Sequence, residues 1–174
     1  MEKVIQVLNR MQADGVIEKY AIGGGIAAIY YLEPYETDDI DIFILPVIFG
    51  QAGLVSLEPI YTYLKKLGYD AVKEGVVIED WLVQFVPVFN PLQEEAVEQA
   101  QGVPFGEEHT SLFSAEHLTA ELLRSGRPQD YARVLALVES EKMDMPAFRD
   151  IISRHGLQER WKEFVIRFDL EEYE

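Results

Sequence analysis

Cysteine is absent from all 174 residues. That excludes disulfide bonds and thiolate-ligated metal centres, and it is compatible with a reducing compartment. Positive charge is scarce: 15 Lys and Arg stand against 31 Asp and Glu, a formal net charge of −16. Such a chain repels phosphate backbones at long range. This disfavours an extensive nucleic-acid footprint but leaves room for a local basic pocket. Long apolar runs are missing as well, so no segment reads as a membrane span. The start, Met1-Glu2-Lys3-Val4, mixes charge into the first turns, unlike a signal peptide. The expectation is a soluble, cytoplasmic protein without membrane contact.

What is present suffices for a core, since 48% of the residues are hydrophobic. The length fits one domain, or an α/β core with a helical extension. Val4, Ile5, Leu8 and Met11 recur at helical spacing and predict a helix over 2–14. Tyr20-Ala21-Ile22 reads as a buried strand closed by Gly23-Gly24-Gly25, with a helix from Ile26 to Leu32 stopping before Pro34. Asp39 to Leu45 alternates and is rich in β-branched residues, so it reads as a strand. A helix follows over 57–67. Tyr69 to Lys73, Val76 to Glu79 and Leu82 to Val88 are strand candidates, 92–101 is an acidic helix, and Thr110 to Phe113 is one more short strand. The core sheet is expected to have its helices on one side. From Ser114 the pattern is helical only. The reading is an α/β core over 1–113 with a mixed sheet, and a helical subdomain over 114–174 packed on it.

The chemistry concentrates in Thr37-Asp38-Asp39-Ile40-Asp41-Ile42. Side chains alternate along a strand, so Asp39 and Asp41 share one face while Ile40 and Ile42 take the other. Asp38 falls on the wrong face by parity. Two neighbouring carboxylates repel unless a cation lies between them. Mg²⁺, or Mn²⁺ in its place, is the natural occupant, because such ions bind through one or two carboxylates plus substrate phosphates. Upstream, the glycine turn lets the backbone come close to a ligand, and helix N-terminal amides offer donors to a phosphate. Taken alone, a D-x-D pair reads as an exposed strand end and a glycine run as a tight turn.

Taken together, strand, Gly-Gly-Gly, helix and Thr-x-Asp-Ile-Asp resemble the nucleotidyltransferase superfamily. Ala21 to Leu45 is most similar to the subgroup related to the AbiEii abortive-infection toxins. Val83-Gln84-Phe85-Val86-Pro87, Ser114-Ala115-Glu116-His117-Leu118 and Gly126-Arg127-Pro128-Gln129-Asp130 resemble later landmarks of that group. The resemblance implies that Asp39 and Asp41 act as metal-holding catalytic residues. It implies that Gly23, Gly24, Gly25 and Thr37 bind a nucleoside triphosphate, whose nucleoside monophosphate passes to a hydroxyl acceptor of unassigned identity.

Two features depart from the pattern. Gln84 occupies the position of a third carboxylate, with Glu79 and Asp80 better suited to a turn. Glu121 and Gln129 stand where lysines are expected, leaving Arg124, Arg127 and Arg133 as the cations of that stretch. Arg127 with Asp130 reads as an ion pair at a helix start. The alternative is therefore a degenerate member that binds a nucleotide or a partner protein, for instance within a toxin–antitoxin-like pair. His109, His117 and His155 lack ligand spacing and read as surface or helix-end residues. Trp81 and Trp161 read as packing anchors. Glu94, Glu95 and Glu98 read as a solvated helix face, and the tail from Glu171 to Glu174 as frayed.

Overall fold

The computed structural model describes residues 1–32, 37, 39–45 and 56–170. Pro34, Asp38 and the acidic tail Glu171 to Glu174 lie outside the described residues. In chain order the elements are α1 (Glu2–Ala13), β1 (Tyr20–Ile22), α2 (Gly24–Tyr31), β2 (Asp39–Ile44) and α3 (Glu58–Lys66). Then come β3 (Ala71–Val72), β4 (Gly75–Ile78), β5 (Trp81–Pro87), α4 (Pro91–Glu98), β6 (Gln101–Phe105) and β7 (Glu108–Leu112). Four helices finish the chain: α5 (Ala115–Ser125), α6 (Pro128–Glu139), α7 (Met145–Arg154) and α8 (Gln158–Phe168). None of the described helices is long and apolar enough to cross a membrane.

The strands form one mixed sheet in the order β3-β4-β5-β2-β1-β7-β6. At its centre β2 runs antiparallel to β1 and parallel to β5. The three expected core strands are thus direct neighbours. Parity holds along β2: Ile40 and Ile42 are fully buried, whereas Asp39 and Asp41 are half-buried. The helices take both sides of the sheet, not the single side expected. Ile5 of α1 lines a cavity with Ile22 and Leu112, on the face that register assigns to Ile42. Arg127, the N-cap of α6, and Arg133 within it act electrostatically on Asp41, which points to the other face.

The strand β6 has no counterpart in the periodicity. The expected acidic helix over 92–101 ends at Glu98, and Gln101 already begins β6. Gly102 and Pro104 disguise this strand, since both residues disfavour sheet interiors. It is tolerated because, among the described residues, β6 is an edge that pairs with β7 alone.

The C-terminal helices are tied to the core by buried polar contacts that amphipathicity does not reveal. The Ser114 hydroxyl caps α5 by accepting from the His117 backbone N–H at 3.2 Å, and it meets His117 Nδ1 at 2.9 Å. His117 is buried, not a surface residue. Its Nε2 lies 3.1 Å from Glu95 Oε1, and His155 Nε2 lies 2.9 Å from Glu95 Oε2. Arg154 Nη2 donates to Glu95 Oε1 at 2.8 Å. Glu95 therefore joins α4 to α5 and α7, unlike the solvated Glu94 and Glu98 beside it.

The Arg154 hydrogen bonds lower the Glu95 carboxyl from 4.5 to about 2, against the opposing effect of partial burial and with help from His155 and His117. Because the folded value is depressed, this stabilisation is present above about pH 4.5 and is lost as pH falls through about 2. Urea unfolding at pH 7 should find Glu95→Gln less stable than the parent by on the order of 2 to 3 kcal/mol. The gap should close as the buffer is taken from about pH 4.5 towards pH 2. An undiminished gap at low pH would show that the loss is one of packing and not of charge.

Candidate active site

The turn after β1 is shaped by what lies against it. Gly23 N–H donates to the Asp41 carbonyl at 3.0 Å, which locks the turn onto β2. A Cβ on Gly23 would lie 2.5 Å from the Phe43 ring. One on Gly24 would lie 1.8 Å from Asp41 Oδ2, and one on Gly25 2.7 Å from Thr37 Oγ1. Gly24 also has a φ of +54°, a left-handed conformation that side chains disfavour. The helix starts at Gly24, two residues earlier than its apolar pattern suggests. Its first amides, which have no intrahelical acceptor, therefore open beside the Asp41 carboxylate. No acidic side chain occupies that first turn.

Asp39 and Asp41 share one strand face, as parity predicts, but their surroundings differ. Both oxygens of Asp39 accept hydrogen bonds, Oδ1 from Thr37 Oγ1 at 2.8 Å and Oδ2 from Gln84 Nε2 at 3.2 Å. Gln84 is placed there by the parallel register, which sets it across from Asp41 on β5. Glu79 and Asp80 form the turn before that strand. Burial raises the Asp41 carboxyl above the usual carboxylate range, and the Asp39 charge adds to this. Arg127 and Arg133 pull the other way, while Asp130 pushes it further up.

The two arginines are held by α6. The fully buried Asp130 accepts from Arg127 Nε at 2.7 Å and from the Ser125 hydroxyl at 2.7 Å. Arg133 lies 3.5 Å from its other oxygen. The ion pair at the helix start is therefore real, and it also carries positive charge towards the acids. Arg124 is not part of this group. It is bound to Glu121 at 2.7 and 2.8 Å and lies over the Phe89 ring at 5.3 Å. Glu121 also accepts from Gln93 at 2.7 Å. Phe113, expected as a strand end, is wholly buried and packs on Phe43 at a ring separation of 4.7 Å. Together these two rings make the floor under Gly23. Two large aromatics facing a glycine turn across strands leave no local sequence signal.

The oxygen donors fit a hard divalent cation better than a soft one. Among the described residues, however, no group of three or more His, Asp or Glu is arranged to hold a metal ion. A cation between Asp39 and Asp41 would need further oxygens, from water or from a substrate.

Neither a family model nor a curated protein sequence matches this chain. Solved structures do. An antigenic nucleotidyltransferase-like protein from Paracoccidioides brasiliensis matches with a TM-score of 0.57 at 15% identity, over 91% of this chain and 88% of that one. ANT(2")-Ia, in complex with adenylyl-2"-tobramycin, matches with a TM-score of 0.52 at 14% identity, over 90% of this chain and 98% of that one. The chain has a nucleotidyltransferase-like fold. At these identities the likeness concerns the fold.

The raised Asp41 carboxyl has a consequence for stability. A carboxyl whose folded value is raised binds protons more readily in the folded state, so its ionisation costs stability as pH rises through that value. Asp41→Asn keeps the shape and removes the charge. In metal-free buffer at pH 7 the variant should melt at a higher temperature than the parent. The gain should vanish at a pH low enough to protonate Asp41 in both states. A lower melting point for Asp41→Asn at neutral pH would mean that the pull of Arg127 and Arg133 outweighs burial.

Proposed function

We propose that this chain binds a nucleoside triphosphate together with Mg²⁺ or Mn²⁺ at Asp39 and Asp41, with Gly23, Gly24, Gly25 and Thr37 on the phosphate side. The observation that carries this reading is the contact between the start of α2 and Asp41, where a Cβ on Gly24 would lie 1.8 Å from the carboxylate. Helix N-terminal amides attract anions. Here they stand beside two carboxylates on one strand face. A cation and a phosphate together satisfy both halves of such an arrangement. The nucleotidyltransferase-like fold of the two matching structures supports the same reading.

The side chains divide the work. Thr37 fixes the rotamer of Asp39 through its 2.8 Å hydrogen bond. The first amides of α2 face the incoming phosphate. Arg127 keeps a side chain 60% exposed while anchored to Asp130, so it can meet phosphate charge without losing its place. When bound, the ion neutralises the carboxylates against the phosphates and polarises the phosphoryl group under attack by a hydroxyl acceptor. Residues 1–113 would form the nucleotide-binding core, and the helices from 114 onward a subdomain packed on it.

A second reading has its own observation. Gln84 donates to Asp39 where a third carboxylate would bring charge. This favours a degenerate member, related to the AbiEii group, that binds a nucleotide or a partner protein within a toxin–antitoxin-like pair. One electrostatic contributor is typically worth about 3 to 4 kcal/mol, roughly 100- to 1000-fold in rate. The parent should therefore bind nucleotide in a metal-dependent way and transfer it slowly.

Calorimetric titration of Mn²⁺ and ATP tests both readings. The parent should bind ATP with Mn²⁺ and not without it. Asp41→Asn should abolish that binding, and Gln84→Asp should strengthen metal binding and, where the lysine positions are not also needed, raise transfer. Unchanged binding by Asp41→Asn would remove the site, and transfer by the parent at ordinary enzyme rates would remove the degenerate reading.

A further inference from the structure

A cavity of about 350 Å³ lies on the far side of the sheet from the acid pair. Its walls come from α1 through Ile5, from α2 through Ile26 and Ile29, and from the strands through Ile22, Leu112 and Trp81. The antiparallel register sets Ile22 opposite Ile42, on the face away from Asp41. The α2 helix is thus shared: Gly24 and Gly25 in its first turn meet Asp41 and Thr37, while Ile26 and Ile29 face the cavity.

The chemistry of the wall is one-sided. Although the chain has a net charge of −16, no charged side chain lines this space among the described residues. The Thr110 hydroxyl is already engaged with Tyr20 at 3.0 Å. Two large aromatics at the cavity stay in water, Tyr30 at 56% and Phe105 at 41% exposure. Leaving such rings wet forgoes the gain of burying them. The volume falls in the range of small-molecule sites, which run from roughly 300 to 1,000 Å³.

We propose that this cavity is a second binding site, for a small uncharged apolar ligand, aromatic or alkyl. Its wall decides against the other occupants. A charged ligand would lose its hydration without gaining a partner. A peptide would bury backbone N–H and C=O groups against a wall with two hydroxyls, Thr110 already engaged and Tyr30 at the rim. A compact apolar molecule suffers neither penalty, and it packs against the Trp81 indole. The site is separate from the acids and does not depend on nucleotide binding.

The two tryptophans make the test specific. Trp81 lines the cavity, whereas Trp161 is buried between Phe148 and Phe164 in the helical part, at ring distances of 5.0 and 5.6 Å. The neutral fluorophore N-phenyl-1-naphthylamine is titrated into the full chain without nucleotide or metal. It should bind one to one, take energy from the tryptophans, and be displaced by 1-decanol. Both tryptophans lie within transfer range in so small a chain, so Trp81→Phe should lower the energy transfer more than Trp161→Phe does. Ile29→Glu places a charge in the wall and should weaken the probe by at least about tenfold. Phe105→Glu, on the exposed edge strand β6, should also weaken it and covers the case in which Ile29→Glu fails to fold. Probe affinity unchanged in the folded Glu variants overturns the proposal. So does energy transfer that falls no further in Trp81→Phe than in Trp161→Phe. Sedimentation that finds a dimer dissociated by Phe105→Glu, with no probe bound, overturns it in favour of a second copy of the chain.

Discussion

Gly24 lies so near the Asp41 carboxylate that no side chain fits between them. Much of the molecule is arranged around that contact. The strand β2 must run antiparallel to β1 so that the Gly23 amide can reach the Asp41 carbonyl. Phe43 and Phe113 must fill the space under Gly23, because a glycine there leaves a gap that only large neighbours close. The helix must begin at once, so that its free amides and the carboxylate occupy the same corner. Each requirement constrains a different segment of the chain, and the sheet order satisfies all of them.

The helical part serves the same corner at a distance. Its position depends on polar joints and not only on apolar faces. Glu95 gathers Arg154, His155 and His117 from two other helices. Glu121 gathers Gln93 and Arg124. Both carboxylates sit at helix junctions where they are only partly wet, so their hydrogen bonds have little competition from water. These joints hold α5, and α6, which packs on α5, carries Asp130 with its two arginines. The positive charge near Asp41 is therefore positioned by contacts far from it.

The sequence made this corner legible and left its supports obscure, for a physical reason. Strand parity and chain order are local properties, so the sequence alone puts Asp39, Asp41 and the glycine turn side by side. The strand Asp39–Ile44 announces itself by alternation, and Tyr20–Ile22 and Trp81–Pro87 by short apolar runs closed by glycine or proline. In contrast, β6 breaks the rules of a strand with Gly102 and Pro104 and exists because β7 offers it an edge. Helices on both faces follow from the tertiary route of α1, which its periodicity does not encode. Glu95 looked like one more acid on a solvated face, since its partners are about 20 and 60 residues away in the chain. His117 looked unremarkable for the same reason. Long-range polar pairing is where reading one sequence runs out.

The two acids are unequal, and the inequality bears on the proposed function. Asp39 already has a partner at each oxygen, one from Thr37 and one from Gln84, with a lone pair left on each. Asp41 is the one that burial and its neighbour push towards protonation. A fold selected for stability alone would place an amide or an apolar residue at position 41, because an enclosed carboxylate beside another carboxylate costs free energy. A cation reverses that sign, since the same enclosure that penalises a lone carboxylate strengthens its attraction to a positive ion. On the proposed reading, Asp41 is then the residue through which metal and nucleotide are felt, and Asp39 with Gln84 is the rigid wall against which they are placed. The missing third charge falls on the wall and not on the responsive acid, which is why binding and transfer separate on this reading.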